Sequence, residues 1–242
     1  MEPDRTTEAE RTLAQLDRLR DRSARRARGG AWLPALGIAV LLLASSALYQ
    51  APFGQLYAIE GEHPYWAGLP DQQRSPVASY LFWFLGVPLL LAGSAWWYRR
   101  RARRLGVRTP WPAFAATGLG VLLLLAVIAA VPTSPPPDTL VLIEGPFWPG
   151  LLTPLLAPAA MAVALGWVER SRGLVVAGVW IVALSAWLCT VFPLGTVPGW
   201  LIGGGPAPGQ LAWRPGHYLV LMALPLLAVA AARLVSTRRP GA

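Results

Sequence analysis

Six stretches of this chain carry no Asp, Glu, Lys or Arg through their middles, and they restrict the fold before any motif is considered. They cover residues 32–49, 77–98, 111–131, 151–168, 174–192 and 218–235. The hydrocarbon core of a bilayer is about 30 Å thick and a helix rises about 1.5 Å per residue, so about 20 apolar residues make one crossing. The expected fold is therefore an all-α integral membrane protein with six transmembrane helices. Only 14% of the 242 residues are charged and 55% are hydrophobic, against about 25% charged in soluble domains. Such hydrophobicity excludes a disordered chain, and the lone Cys189 excludes a disulfide scaffold. The first stretch exceeds the apolar core of an export signal, about 7–15 residues, so it reads as a span.

All 21 basic residues are arginine, and neither lysine nor asparagine occurs. Both missing residues have A/T-rich codons, which points to a high-GC bacterial genome. The segments alternate in charge. One face carries nineteen arginines against seven acids, net +12, and the other two arginines against five acids, net −3. Positive residues stay inside, so both termini are expected in the cytoplasm and the chain in the bacterial cytoplasmic membrane. Trp32, Trp96, Trp97, Tyr98, Trp111 and Trp167 fall at the inner boundary. Tyr49, Tyr80, Trp83, Trp148 and Tyr218 fall at the outer one, which matches the headgroup-level aromatic belts.

Residues 1–30 read as a cytoplasmic amphipathic helix ahead of a membrane domain over 31–242. Thr7 and Glu10 have the spacing of a capping box, and Gly29-Gly30 end the helix. At 100° per residue Leu13, Leu16 and Leu19 share one face while Arg18, Arg22, Arg25 and Arg26 share another. This helix suits an anionic inner leaflet, at about 1 kcal/mol per basic residue, or a protein partner. Arg99, Arg100, Arg101, Arg103 and Arg104, between the second and third spans, are expected in the same role. Nucleic acid is not an expected partner, because six acids are interleaved in the amino-terminal segment and no recognition-helix pattern appears.

The outer connections 51–76, 132–150 and 193–217 are long and rich in Pro, Gly and Trp. Residues 59–69 and 143–151 echo one another once Glu62-His63 is deleted: Ile-Glu-Gly, then Pro, an aromatic residue, Trp, Gly and Leu. The echo implies duplication of a two-helix hairpin, 32–98 and 111–168, in parallel orientation. Glu60, Trp66, Glu144 and Trp148 could then line an outer vestibule for a cation or an amphipathic ligand. In the plainer alternative the carboxylates cap backbone donors or pair with Arg74 and Arg214, and the tryptophans anchor their loops.

Within the stretches, Pro88, Pro154, Pro158 and Pro225 are expected to kink helices and free carbonyls for a neighbour, a water or an ion. Ala116 with Gly120, and the alanine-rich run 159–164, are expected to be close-packing faces. The absence of ionisable residues from the apolar middles disfavours a proton relay. There is no His-Glu-x-x-His, Gly-x-Ser-x-Gly, phosphate loop or Cys-x-x-Cys, so no catalytic residue, metal or cofactor is assigned. Six spans with both ends inside and an amphipathic amino-terminal helix resemble in layout the membrane subunits of ATP-driven export systems. That layout implies a permease-like subunit needing a separate ATPase. A non-catalytic accessory or scaffold protein is the alternative, and a membrane enzyme acting on lipid-linked substrates the third.

Overall fold

A computed structural model describes residues 11, 13–15, 30–50, 52–53, 74–106, 111–130, 153–190 and 215–238. Every regular element among them is helical. Helix α1 (Trp32–Ala44) runs into a 3-10 turn, Ser45–Leu48. Then come α2 (Pro76–Leu105), α3 (Trp111–Ala130), α4 (Leu156–Val168), α5 (Arg172–Thr190) and α6 (Pro215–Arg238). Two segments, Val77–Arg104 and Pro215–Val235, are long and apolar enough to cross a bilayer by that measure alone. Four shorter apolar helices, Trp32–Leu48, Ala115–Ala130, Leu156–Val168 and Arg172–Ala186, accompany them.

Local chemistry sets the boundaries. The Ser75 hydroxyl accepts from Ala78 N and Pro76 opens α2, a pairing suited to an N-terminus because proline lacks the donor that would be orphaned there. The helix then runs on through Arg99–Arg104, which the sequence reading treats as a loop. It stops at Gly106, whose left-handed φ of 64° only glycine adopts without cost. At the end of α1, Ser45 and Ser46 donate to the carbonyls of Leu42 and Leu43, both at 2.6 Å. This back-bonding competes with the α ladder and tightens it into the 3-10 turn.

Consecutive helices run antiparallel. Gly216 N donates to Pro52 O and Arg74 N to Leu48 O, so the end of α1 meets the starts of α2 and α6. At the opposite end, the Trp97 indole donates to Gly30 O at 2.9 Å. Helix α1 lies along α6 and also touches α2 and α4, which buries Ala35, Ile38, Ala39 and Leu42 almost completely. Glycines set the closest approaches. A Cβ on Gly37 would lie 2.5 Å from Leu90 Cδ1, and one on Gly86 2.9 Å from Leu41 Cδ1, so α1 and α2 exchange a leucine knob for a glycine notch in both directions. In the α4–α5 hairpin a Cβ on Gly178 would meet Val163 and the Ala159 carbonyl, and one on Gly166 would meet Val175. The run 159–164 does pack closely, Ala159 and Ala162 being fully buried. Ala116 and Gly120 do not: they lie on an exposed face of α3, and a Cβ at Gly120 would meet nothing within 4 Å.

The exterior is apolar. Val77, Leu81, Leu85 and Leu89 recur every four residues along an exposed stripe of α2, with Leu89 70% exposed. Leu119 and Leu123 on α3 and Val176 and Val179 on α5 are likewise exposed. Helices that are apolar all round belong in a hydrophobic surrounding.

The prolines behave in two ways. Pro154 and Pro158 fall in the turn before α4 and in its first turn, where donors are orphaned anyway. There Ala157 N takes the Pro154 carbonyl that Pro158 cannot reach, so neither kinks a helix, contrary to expectation. Pro225 lies inside α6 and leaves the Leu221 carbonyl without its helical donor. The Trp180 indole of α5 fills that place at 3.0 Å. Trp180→Phe should therefore cost about 1 kcal/mol in detergent unfolding. In a Pro225→Ala background, where residue 225 regains an N–H for Leu221 O, the same substitution should cost almost nothing. Equal costs in both backgrounds would show that the indole does not serve the broken ladder.

Candidate functional site

Where charge enters the packed bundle, it does so at the arginine-rich end. The α4–α5 connection is a Schellman turn: Ser171 N donates to Gly166 O at 2.7 Å and Arg170 N to Trp167 O at 3.0 Å. Arg170 takes the left-handed position, with φ 50°, that glycine usually fills. The turn fixes Glu169 as the C-cap of α4 and directs its side chain inward, where it is 3% exposed.

An isolated carboxylate withdrawn from water loses several kcal/mol of solvation, and side chains from two helices compensate it. From α2, Tyr98 Oη donates to Glu169 Oε1 at 2.5 Å, in the short range of hydroxyl bonds to a carboxylate. From α6, Arg233 Nη1 reaches Oε2 at 3.5 Å. Arg101, one turn beyond Tyr98, packs its stem under Gly30: a Cβ there would lie 3.1 Å from both Arg101 Cδ and Tyr98 Cε1. Trp97 adds its bond to Gly30 O and an edge-on contact with Trp32 at 5.4 Å. The ends of α1, α2, α4 and α6 thus converge on one buried charge.

Sequence reasoning missed this cluster because it looked for charge in the middle of spans. The signal lies at their edges. Glu169 is the only acid after Glu144, and Arg233 is the only arginine inside a predicted span.

Of the sequence-predicted residues, Arg99, Arg100, Arg103 and Arg104 are exposed on the last turns of α2 and Arg101 is half-buried. The Arg100 guanidinium sits 5.4 Å from the Trp96 ring centroid, a cation–π distance. Glu60, Trp66, Glu144, Trp148 and Arg18, Arg22, Arg25 and Arg26 lie outside the described residues, as does the loop echo. Arg74, offered as a carboxylate partner, donates through Nε to Tyr49 O at 3.0 Å, while the carboxylates in question lie outside the described residues. His217 stands edge-on to Phe53 at 5.4 Å.

Beside the charged cluster lies an apolar slot of about 40 Å³ between the arginine-end halves of α1 to α4, lined by residues that include Ile38, Leu91, Ser94, Thr117, Met161 and Val168. The Thr117 hydroxyl already donates to Ala113 O. No known protein family, curated protein or solved structure matches the chain.

Tyr98→Phe should destabilise the protein by about 2 kcal/mol, as expected for a hydrogen bond to a buried charge. Arg233→Met should cost about 3 kcal/mol by leaving the carboxylate short of a cation, and adding Glu169→Gln should recover more than half of that loss. Strictly additive costs in a double-mutant cycle would mean that the two side chains do not act as a pair.

Proposed function

We propose that the chain is a six-span protein of a bacterial cytoplasmic membrane, with both termini in the cytoplasm, serving as the membrane subunit of a transport assembly driven by a separate ATPase. The observation that supports the membrane placement and orientation in this reading is the polarity of the bundle; the transport role rests on the layout resemblance. Its flanks are apolar, and the starts of α1, α3 and α5 and the ends of α2, α4 and α6 gather at the end that holds the arginines. Length is compatible with crossing. Thirteen α residues plus four of 3-10 helix give α1 about 28 Å, and the 20 residues of α3 give about 30 Å.

At the cytoplasmic face, exposed Arg99, Arg100, Arg103 and Arg104 extend beyond the core on a helix stiffened by its anchorage at Tyr98. That rigid, basic projection supports docking of an acidic partner surface or anionic headgroups. In this reading the chain is not itself an enzyme, and Glu60, Trp66, Glu144 and Trp148 belong to the outer, ligand-facing side. The second reading, a non-catalytic accessory or scaffold protein, is favoured by the dryness of the described interior, where the packed faces of α1, α5 and α6 are almost wholly apolar.

Fusions to an alkaline phosphatase and to a fluorescent protein test the topology. Phosphatase activity is expected for fusions at residues 60, 145 and 205, and fluorescence for those at 106 and 240; the reverse pattern overturns it. Affinity purification from native membranes separates the two roles. Stoichiometric ATP hydrolysis that survives reconstitution, and falls in Arg103→Gln/Arg104→Gln, supports the transport subunit; a stable complex without hydrolysis supports the accessory role.

A further inference from the structure

The slot beside the charged cluster has a structural cause. Helix α3 packs through Val121, Leu125 and Ile128 in its second half, whereas no described side chain between residues 112 and 120 is buried. Among its described side chains the helix therefore makes no buried contact at the arginine end. Ile38, Ser94 and Met161 form the buried floor of the gap, while Leu91, Thr117 and Val168 form its half-buried rim.

Water is a poor occupant of such a space. A buried water needs two to four polar partners, and the lining offers the Ser94 hydroxyl and a Thr117 hydroxyl already engaged with its own helix. Methylene groups suit it. Leu91 and Ser94 line the slot and share one helical face of α2 with Tyr98 and Arg101, with exposed Arg99 and Arg104 on either side of that face. A lipid tail entering from the flank would leave its headgroup level with those arginines, and a negative headgroup complements them.

We propose that the slot takes two or three methylenes of one acyl chain of an anionic phospholipid of the inner leaflet, whose phosphate is held by the arginines at the end of α2. The proposal rests on the membrane reading above, but its test does not depend on orientation. Full-length protein is purified, stripped of lipid in detergent and titrated with phosphatidylglycerol or phosphatidylcholine of matched chains, with bound lipid counted by native mass spectrometry. One phosphatidylglycerol per chain is expected. Arg99→Gln and Arg104→Gln should each reduce its preference over phosphatidylcholine about fivefold, the ratio for ~1 kcal/mol per basic residue. Thr117→Trp, which fills the slot, should weaken binding of both lipids at least tenfold on the order expected for a lost apolar pocket.

A folded Thr117→Trp protein that binds as the wild type does overturns the slot, and arginine variants that keep the preference overturn the headgroup contact. Should Thr117→Trp fail to fold, a phospholipid with a photoreactive group in mid-chain gives the answer on the unaltered protein. Adducts at Ser94, Thr117 and Met161 support the site, and adducts spread along the exposed stripe of α2 refute it. Lipid retained by a protein whose fusions report the opposite orientation would leave the slot standing and sink the topology.

Discussion

A carboxylate in an apolar bundle is tolerable only while its partners stay in place, and Glu169 draws those partners from separate helices. Tyr98 comes from the end of α2, Arg233 from the end of α6, and the turn that presents the carboxylate from the junction of α4 and α5. Apolar packing among smooth helix faces is weakly directional, since any rotation that buries similar side chains has similar energy. One compensated charge removes that degeneracy at its end of the bundle. The glycine notches restrict it along the length, because Leu41 and Leu90 fit only where Gly86 and Gly37 lie opposite.

Much of the architecture was legible in the sequence, and the parts that were not share a cause. The six apolar stretches locate the six helices, because hydrophobic composition and helix length are local properties. Boundaries departed where local polar chemistry intervened: Ser45 and Ser46 tighten α1 early, and α2 runs through arginines until Gly106. Close packing was foreseen at the alanine run but misplaced at Ala116 and Gly120, since spacing identifies small residues without saying which face of α3 meets a neighbour. Glu169, Tyr98 and Arg233 were invisible as a group because they are 71 and 64 residues apart, and only the fold brings them together. Freed carbonyls were anticipated for the prolines, yet nothing in the sequence told that Trp180 would serve Pro225 while Pro154 and Pro158 would be absorbed at a helix start.

The two ends of the bundle are built from different materials. At one end backbone groups join α1 to α2 and α6, with Arg74 donating to the carbonyls of Leu48 and Tyr49. At the other, side-chain charge, indole donors and exposed arginines predominate. The buried hydroxyls of Ser79, in the first turn of α2, and Ser185 on α5 find no partner among the described residues, each a local loss that the surrounding apolar packing outweighs. In the membrane reading proposed above, such a surface sets its flank in hydrocarbon and its arginines together at one headgroup layer.

Of the helices α1 to α6, α1 is made before the others, yet α6, along which it lies, is made last. Through most of synthesis Ala35, Ile38, Ala39 and Leu42 therefore face whatever apolar material is at hand, and Glu169 waits for Arg233. The bundle closes as a ring whose final segment carries the clasp. A chain lacking α6 would retain the other five apolar helices but leave Glu169 without the Arg233 guanidinium, so the contact that orients α6 also registers its presence.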